Sequence, residues 1–370
     1  MKGFANMINF FCKKDRKRIV PIISETELSK LMMMPISEKI NFIGKKEVEI
    51  INRIRKEVQS LNVNNITRTK AYLEFYMNNK EIHWSFLAHM VSRNGGWNMT
   101  DLKGSILREL LPTKKVPLFF EFLEKANATI FHDAYSQLLL YRYSKQSGRN
   151  LFYLLPHLSV SAFMKPIWDY FWKAKNSPLL TVALIVNEQH HIQRLIDHPT
   201  YKNEVLNTIL FKAQERFGFT DVLFPHKRSS DKIDLAGVTV KVFENVNERI
   251  AIGKTLYGIL FNEILPSATS FAIHTPHTGS RADFWPDIFT KKEPKMKSSI
   301  KAPLIFSPTL KQSWFNYEHE FQDQTDWYTT PEIFKHLTDY YIPASYNLTN
   351  NYKNDLKSLV LMKELKYMVS

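Results

Sequence analysis

The chain has 370 residues, of which 44% are hydrophobic and 13% aromatic, so its composition predicts a packed protein of one large or two ordinary domains rather than a disordered chain. The formal net charge of +14 is typical of a protein with an anionic partner, whether a nucleic acid, an anionic membrane surface or an acidic ligand, and equally of a solvated basic face with no single partner. The one cysteine, Cys12, excludes an internal disulfide and a cysteine-based zinc site. The longest apolar run, residues 178–186, is much shorter than the roughly 20 residues of a membrane span.

The N-terminus carries an apolar stripe followed by basic residues. Phe4, Met7, Ile8 and Phe11 have helical spacing, and five cations follow: Lys13, Lys14, Arg16, Lys17 and Arg18. The positive charge lies after the apolar stretch, so a secretory signal is not predicted. Residues 1–23 are therefore interpreted as a basic amphipathic segment, either a helix docked on the body or an anchor through residues 1–18 on an anionic membrane.

Helical signals with few interruptions follow from residue 24 to residue 220. Ser24 to Glu27 has the pattern of a capping box, and Ser177-Pro178 that of a helix start. Helices are predicted at 68–79, 82–93, 101–111, 115–126, 128–145, 159–174, 178–197 and 201–217. The predicted fold class is mainly α: a multi-helical globular bundle with one small β element and a long irregular C-terminal segment.

The residue pattern and composition change after this helical part. Val238, Val240 and Val242 alternate with other residues, which predicts a short β element near 234–246. This element lies within a helical body predicted to span residues 24–263. A helix is predicted at about 247–263. Residues 264–330 are rich in Pro, Ser, Thr and aromatics and are expected to be irregular and to pack on the body, with a basic mobile loop at 290–303. Helices are expected again in residues 331–370.

The stretch "HMVSRNGGWNMTDLKG", residues 89–104, raises the first question of function. Gly95 and Gly96 predict a turn that ends one helix near Arg93, and Thr100 is a natural N-cap for the next. Trp97 either packs in the core or covers a ligand. On the second interpretation, Arg93, Asn94 and Trp97 are candidate ligand-binding residues.

The helix predicted at 178–197 carries a carboxylate on an apolar face. Glu188 lies near the centre of that face and His191 at its margin. A carboxylate there is costly unless it is paired, protonated or bound to a ligand, so Glu188 is either part of a buried network or a catalytic group, and His191 is a candidate ligand contact. The Glu-x-x-His spacing is that of di-iron bundles, but no second copy is present, and neither a metal site nor a cofactor is predicted.

The segment "HTPHTGSRADFWPD", residues 274–287, is the densest group of polar side chains. His277 is a candidate acid or base, Arg281 a candidate clamp for an anion, and Asp283 a candidate binding residue. Structural caps and ion pairs explain such a segment equally well. A buried pair between Arg281 and Glu188 would account for both residues.

Four passages resemble a known family: "EIHWSFLAHMVSRNGGWNMTDLKG", "DAYSQLLLY", "LTVALIVNEQ" and "HTGSRADFWPDIF". The chain is similar there to the YppC-like family of uncharacterised Firmicute proteins, a domain of unknown function. The resemblance implies a bacterial, cytoplasmic protein and assigns no role to any residue.

Three hypotheses of function follow. The first is a non-catalytic binding or scaffolding protein with a basic surface, in peripheral contact with the inner face of the membrane. The second is an enzyme that acts on an anionic small molecule through Glu188, His277 and Arg281. The third is non-specific nucleic-acid binding, which rests on charge alone.

Overall fold

The computed structural model describes residues 17–34, 43–105, 107–206, 221–227, 232–240, 243–293, 304–321 and 325–369. This part of the chain is mainly α-helical, as the sequence predicts. Its longer helices are α1 (Glu25–Met32), α2 (Lys45–Leu61), α3 (Asn65–Asn78), α4 (His83–Asp101), α5 (Val116–Ser147), α6 (Met164–Ala174), α7 (Ser177–Asp197), α8 (Val246–Ile259), α9 (Leu265–His274) and α10 (Thr349–Val369). Shorter helical turns are formed by Leu107–Leu110, Phe152–Leu158, Pro199–Tyr201, Lys202–Leu206, Leu260–Ile264, Arg281–Asp283, Leu310–Ser313 and Pro331–Thr338.

Helix α7 is the central helix of the core. It packs against α4, α5, α6 and α8. Its first half is apolar nearly all round, so every residue from Leu179 to Asn187 is buried. Its second half carries Glu188, His191 and Arg194, which are only partly buried or exposed. The helix therefore leads from the core to a polar surface.

The predicted turn at Gly95-Gly96 is wrong, because α4 runs without a break from His83 to Asp101. Glycine at position 96 is required by crowding rather than by a turn. A Cβ atom at Gly96 would lie 2.3 Å from Asn65 Oδ1 and 2.8 Å from His277 Nε2. The helices predicted at 115–126 and 128–145 are likewise one helix, α5. The helix predicted at 101–111 is replaced by the end of α4 at Asp101 and a short helical turn at Leu107–Leu110.

The β element is present, but its bounds differ from the prediction, and it pairs with a second strand that the sequence did not indicate. Strand β3 (Ile233–Thr239) pairs in antiparallel fashion with β2 (Asp221–Lys227), with Phe224 opposite Ala236. Two more sheets of two strands pair β1 (Arg18–Pro21) with β6 (Asp339–Ile342), and β4 (Phe289–Thr290) with β5 (Ile305–Phe306). Strands of two to four residues are too short to produce a visible alternation in the sequence, so the single β element of the prediction was incomplete.

The segment expected to be irregular contains helix α9. The proline content of this segment predicts irregular chain, whereas Pro266 stands in the first turn of the helix, where its missing N–H costs nothing. The N-terminal amphipathic stripe, the end of the helix predicted at 201–217 and most of the basic loop at 290–303 lie outside the described residues. Among the helices that are described, none has the length and apolar character needed to span a bilayer.

Candidate functional site

The three residues predicted to form a catalytic group lie in three separate hydrogen-bond networks. Arg281 is buried, and its Nε and Nη2 atoms lie 2.8 Å and 2.7 Å from Asp101 Oδ2. The guanidinium also lies over the rings of Trp97 and Tyr352. Its carboxylate partner is therefore Asp101, and the predicted pair of Arg281 with Glu188 is not formed.

His277 is a buried, neutral side chain. Asn65 uses its Nδ2 to donate to the backbone oxygen of Ser92, so its Oδ1 faces His277 and accepts from Nε2 at 2.8 Å. Burial lowers the pKa of His277 well below the ordinary range, and the nearby charge of Arg93 lowers it further. The side chain therefore serves as a neutral donor that joins the segment after α9 to α3.

Within the described part of the chain, no cation pairs with Glu188. Trp84 Nε1 donates to its Oε2 at 3.2 Å, and Gln189 Nε2 donates to its Oε1 at 3.1 Å. Burial raises the pKa of Glu188 to about 8, in spite of these two donors. Near neutral pH the carboxyl is mostly protonated, which is the least costly form for an acid without a cation at the edge of the core.

Most of the predicted ligand-binding residues hold the chain together. Arg93 donates to the backbone oxygens of Thr275 and Pro276, and Asn94 Oδ1 accepts from the backbone N–H of Leu223 at 3.1 Å. Trp97 is fully buried against Phe284. Asp283 accepts from the backbone N–H of Thr278 at 2.7 Å and pairs with Lys291. Through these contacts, residues 93–101 and residues 275–283 pack against each other as one interface.

His191 is the exception, because it lines a cleft. The cleft lies between α2, α5, the end of α7 and the segment 316–321, and has a volume of about 1470 Å³. Ligand pockets usually measure roughly 300 to 1000 Å³, so this cleft has room for more than one small metabolite. Its ionisable lining consists of Arg55, Lys125, His132, His191, Arg194, His198, Glu318, His319 and Glu320.

Asp133 lies directly behind His191 at the wall of this cleft. Its Oδ1 is 3.1 Å from His191 Nε2. Its Oδ2 accepts from Gln137 Nε2 at 2.8 Å and from Asn187 Nδ2 at 2.5 Å. Each of the two helices contributes one pair at i, i+4 spacing, Asp133 with Gln137 on α5 and Asn187 with His191 on α7, so all four side chains face the same interhelical space.

Two tryptophans fix the amides that hold Asp133. Trp168 Nε1 donates to Gln137 Oε1 at 2.8 Å, and Trp327 Nε1 donates to Asn187 Oδ1 at 3.0 Å. Each amide thus has its oxygen bound to an indole, and its nitrogen must point at the carboxylate. The arrangement sets the position of Asp133 from two sides.

The charge state of His191 follows from this environment. Burial alone would lower its pKa, but Asp133 outweighs burial, and the pKa lies above the ordinary value for histidine, with a smaller contribution from Asp326. Arg194 opposes this shift. His132, on the same cleft wall, has its pKa lowered by burial and stacks on Phe321 at 4.0 Å. His191 and His132 therefore favour opposite charge states.

The segment 316–321 forms the opposite wall and is tied to the body by specific contacts. His319 Nε2 lies 3.0 Å from Glu124 Oε1, and the other oxygen of Glu124 pairs with Arg68 at 2.5 Å in a buried ion pair. Asn64 Nδ2 donates to Asn316 Oδ1 at 2.9 Å. Glu318 and Glu320 are exposed on this wall, so the cations of the cleft belong to the helical side.

Sequence reasoning identified His191 but missed Asp133, Asn187 and Gln137. The passage "DAYSQLLLY" contains both Asp133 and Gln137, and their i, i+4 spacing inside an apolar helix was the available signal. No clustering of three or more His, Cys, Asp or Glu side chains suited to a metal ion is found within the described ranges.

Comparisons with known proteins agree with the resemblance. The family model described as "Protein of unknown function (DUF2515)" matches residues 60–353. The uncharacterized protein YppC of Bacillus subtilis (strain 168) is 42% identical over 272 residues, which cover 72% of this chain and 84% of that protein. No solved structure matches the chain.

Proposed function

This chain belongs to DUF2515, a family of proteins of unknown function, and we propose that it binds an anionic ligand in the histidine-lined cleft. The observation that carries the proposal is the position of His191, which lines the cleft with Asp133 Oδ1 3.1 Å behind its Nε2. An imidazole whose pKa is raised in this way is cationic over a wider pH range than an ordinary histidine. It therefore offers a positive hydrogen-bond donor to an anion.

The permanent charges of the helical wall support the same ligand class. Arg55 on α2, Lys125 on α5 and Arg194 on α7 line the cleft. Arg55 also donates to the backbone oxygen of His157, and Arg194 to that of Thr325, which orders both side chains. The net charge of +14 adds a long-range field that attracts anions to the protein.

Calorimetric titration with ATP tests the proposal, because ATP carries several phosphate charges and fits the volume of the cleft. We expect saturable binding to the wild-type protein, weakened by more salt, and little binding of adenosine. The double variant Arg55→Gln/Lys125→Gln is expected to bind ATP about tenfold more weakly, or about 1.4 kcal/mol.

A matched control removes one arginine and one lysine elsewhere. Arg53 and Lys70 are exposed and form i, i+4 surface pairs with Glu49 and Glu74. Arg53→Gln/Lys70→Gln should bind ATP like the wild type. The proposal fails if ATP does not bind saturably, or if both double variants lose affinity equally.

A cytoplasmic location, with peripheral contact of residues 1–18 with the inner face of the membrane, is a further proposal. It is supported by the single cysteine and by the basic N-terminal sequence. Loss of binding to anionic vesicles on deletion of residues 1–18 is the expected result, and unchanged binding would remove the proposed anchor.

A further inference from the structure

The His191–Asp133 pair is surrounded by more hydrogen-bonding groups than anion binding alone would need. A cation that only attracts an anion does not require a carboxylate, two amides and two indoles arranged behind it. We propose that His191 and Asp133 form an acid–base pair that hydrolyses an ester bond of a ligand held in the cleft. This inference depends on the proposed function in one respect, namely that the natural substrate binds in the cleft.

The geometry assigns different tasks to the two ring nitrogens. Nε2 of His191 faces Asp133 Oδ1, so Nδ1 is the nitrogen that exchanges a proton with a reactant. The side chain of His191 is 14% exposed and that of Asp133 only 6%. The imidazole is therefore the member of the pair that meets the contents of the cleft, and Asp133 acts behind it.

Asp133 is a positioning residue in this account. Because its Oδ2 is bound by Gln137 and Asn187, its Oδ1 is left for His191, and the carboxylate cannot rotate without breaking both amide contacts. A carboxylate fixed in this way selects the tautomer and orientation of the imidazole and stabilises the imidazolium when it forms. Supporting hydrogen bonds of this kind are what hold a catalytic side chain in a productive geometry.

The proposed step uses water and the ester and needs no other reactant. His191 Nδ1 takes a proton from water as the water oxygen forms a bond to the carbonyl carbon or phosphorus of the ester. The bond from that atom to the leaving oxygen breaks, and the imidazolium returns the proton to the leaving oxygen. The products are an acid and an alcohol, and His191 is neutral again.

Several charges set the pH at which His191 is neutral. Asp133 on α5 and Asp326 on the neighbouring segment favour the imidazolium, Arg194 on its own helix opposes it, and the pKa of His132 on the same wall is lowered by burial. Because a general base must be unprotonated, the rate should rise with pH, with a midpoint above that of an ordinary histidine. Removal of the Asp133 charge should move this midpoint to lower pH.

The test follows hydrolysis of p-nitrophenyl acetate and of bis(p-nitrophenyl) phosphate across a range of pH by the full-length protein. Wild type is expected to hydrolyse at least one of the two, at a rate at least about tenfold above that of His191→Gln. Asp133→Asn should keep part of the activity with its pH midpoint shifted downward. His274→Gln is the matched control, since His274 is an exposed histidine bonded to the backbone oxygen of Ser270, and it should behave like the wild type.

Equal rates for wild type and His191→Gln on both esters would overturn the inference, as would a pH midpoint that Asp133→Asn does not move. Circular dichroism of each variant separates loss of folding from loss of chemistry, and His191→Gln decides the question if Asp133→Asn does not fold. p-Nitrophenyl acetate is uncharged, so its hydrolysis does not depend on the cationic wall. Hydrolysis without ATP binding would refute the proposed function alone, and ATP binding without hydrolysis would refute this inference alone.

Discussion

Glu188 and His191 lie one helical turn apart on α7, yet their surroundings invert their usual charges. Burial without a cation raises the pKa of Glu188 to about 8, whereas Asp133 raises the pKa of His191. Near neutral pH the acid is therefore mostly neutral, and the histidine has an increased tendency to be charged. Asp133 differs from Glu188 in lying 3.1 Å from a histidine, in addition to accepting from Gln137 and Asn187.

Glu188→Gln is expected to stabilise the protein at pH 7. The folded carboxyl keeps its proton up to about pH 8, whereas the unfolded one loses it near 4.5, so the folded state binds more protons between these values and wild type loses stability as pH rises. Glutamine has no proton to lose, and its amide oxygen still accepts from Trp84. The gain at pH 7 should be about 1 to 3 kcal/mol and smaller at pH 5, measured by urea unfolding.

The exposed Glu49 provides the control, because Glu49→Gln should show no comparable dependence on pH. A loss of about 3 to 5 kcal/mol in Glu188→Gln at pH 7, the cost of removing one partner from a buried ion pair, would contradict the account.

At the scale of elements, the helices could be predicted from periodicity and caps, and the errors have physical causes. The capping box of Ser24 and Glu27 and the start of α7 at Ser177 are as the sequence indicates. Gly95 and Gly96 suggested a turn because glycine tolerates positive φ, whereas Gly96 in fact lets α4 approach its neighbours closely. Local sequence cannot distinguish the two uses of glycine. The four-part division of the chain stays a prediction.

Gly96→Ala should destabilise the protein although alanine is the better helix former. The new Cβ would overlap Asn65 Oδ1 and His277 Nε2, which are held in a buried network, so the net loss should be about 1 to 3 kcal/mol in chemical denaturation. Gly95→Ala is the control, because its Cβ would come no closer than 3.3 Å to the end of the Asn127 side chain. Equal stability of the two variants would show that crowding at Gly96 is not the reason for glycine there.

At the scale of the whole molecule, the cleft assembles residues that are far apart in the chain. Arg55 on α2, His132 on α5, His191 on α7 and His319 on the segment 316–321 meet only in the folded protein. Spacing within one helix revealed His191, but a site built from one or two side chains of each element has no local motif. The densest polar segments instead proved to be packing: Arg281 pairs with Asp101, and His277 with Asn65. Composition is compatible with an anionic partner and gives no indication of where one would bind.

Hydrogen–deuterium exchange of the whole chain, with and without ATP, tests most directly the claim that the cleft is the functional site. The exposed segment 316–321 should exchange fast in the free protein and be protected by ATP, together with the residues around His191 and Lys125. His191→Gln should weaken this protection. Protection confined to other peptides, such as those of the basic N-terminus, with none at 316–321, would contradict the account.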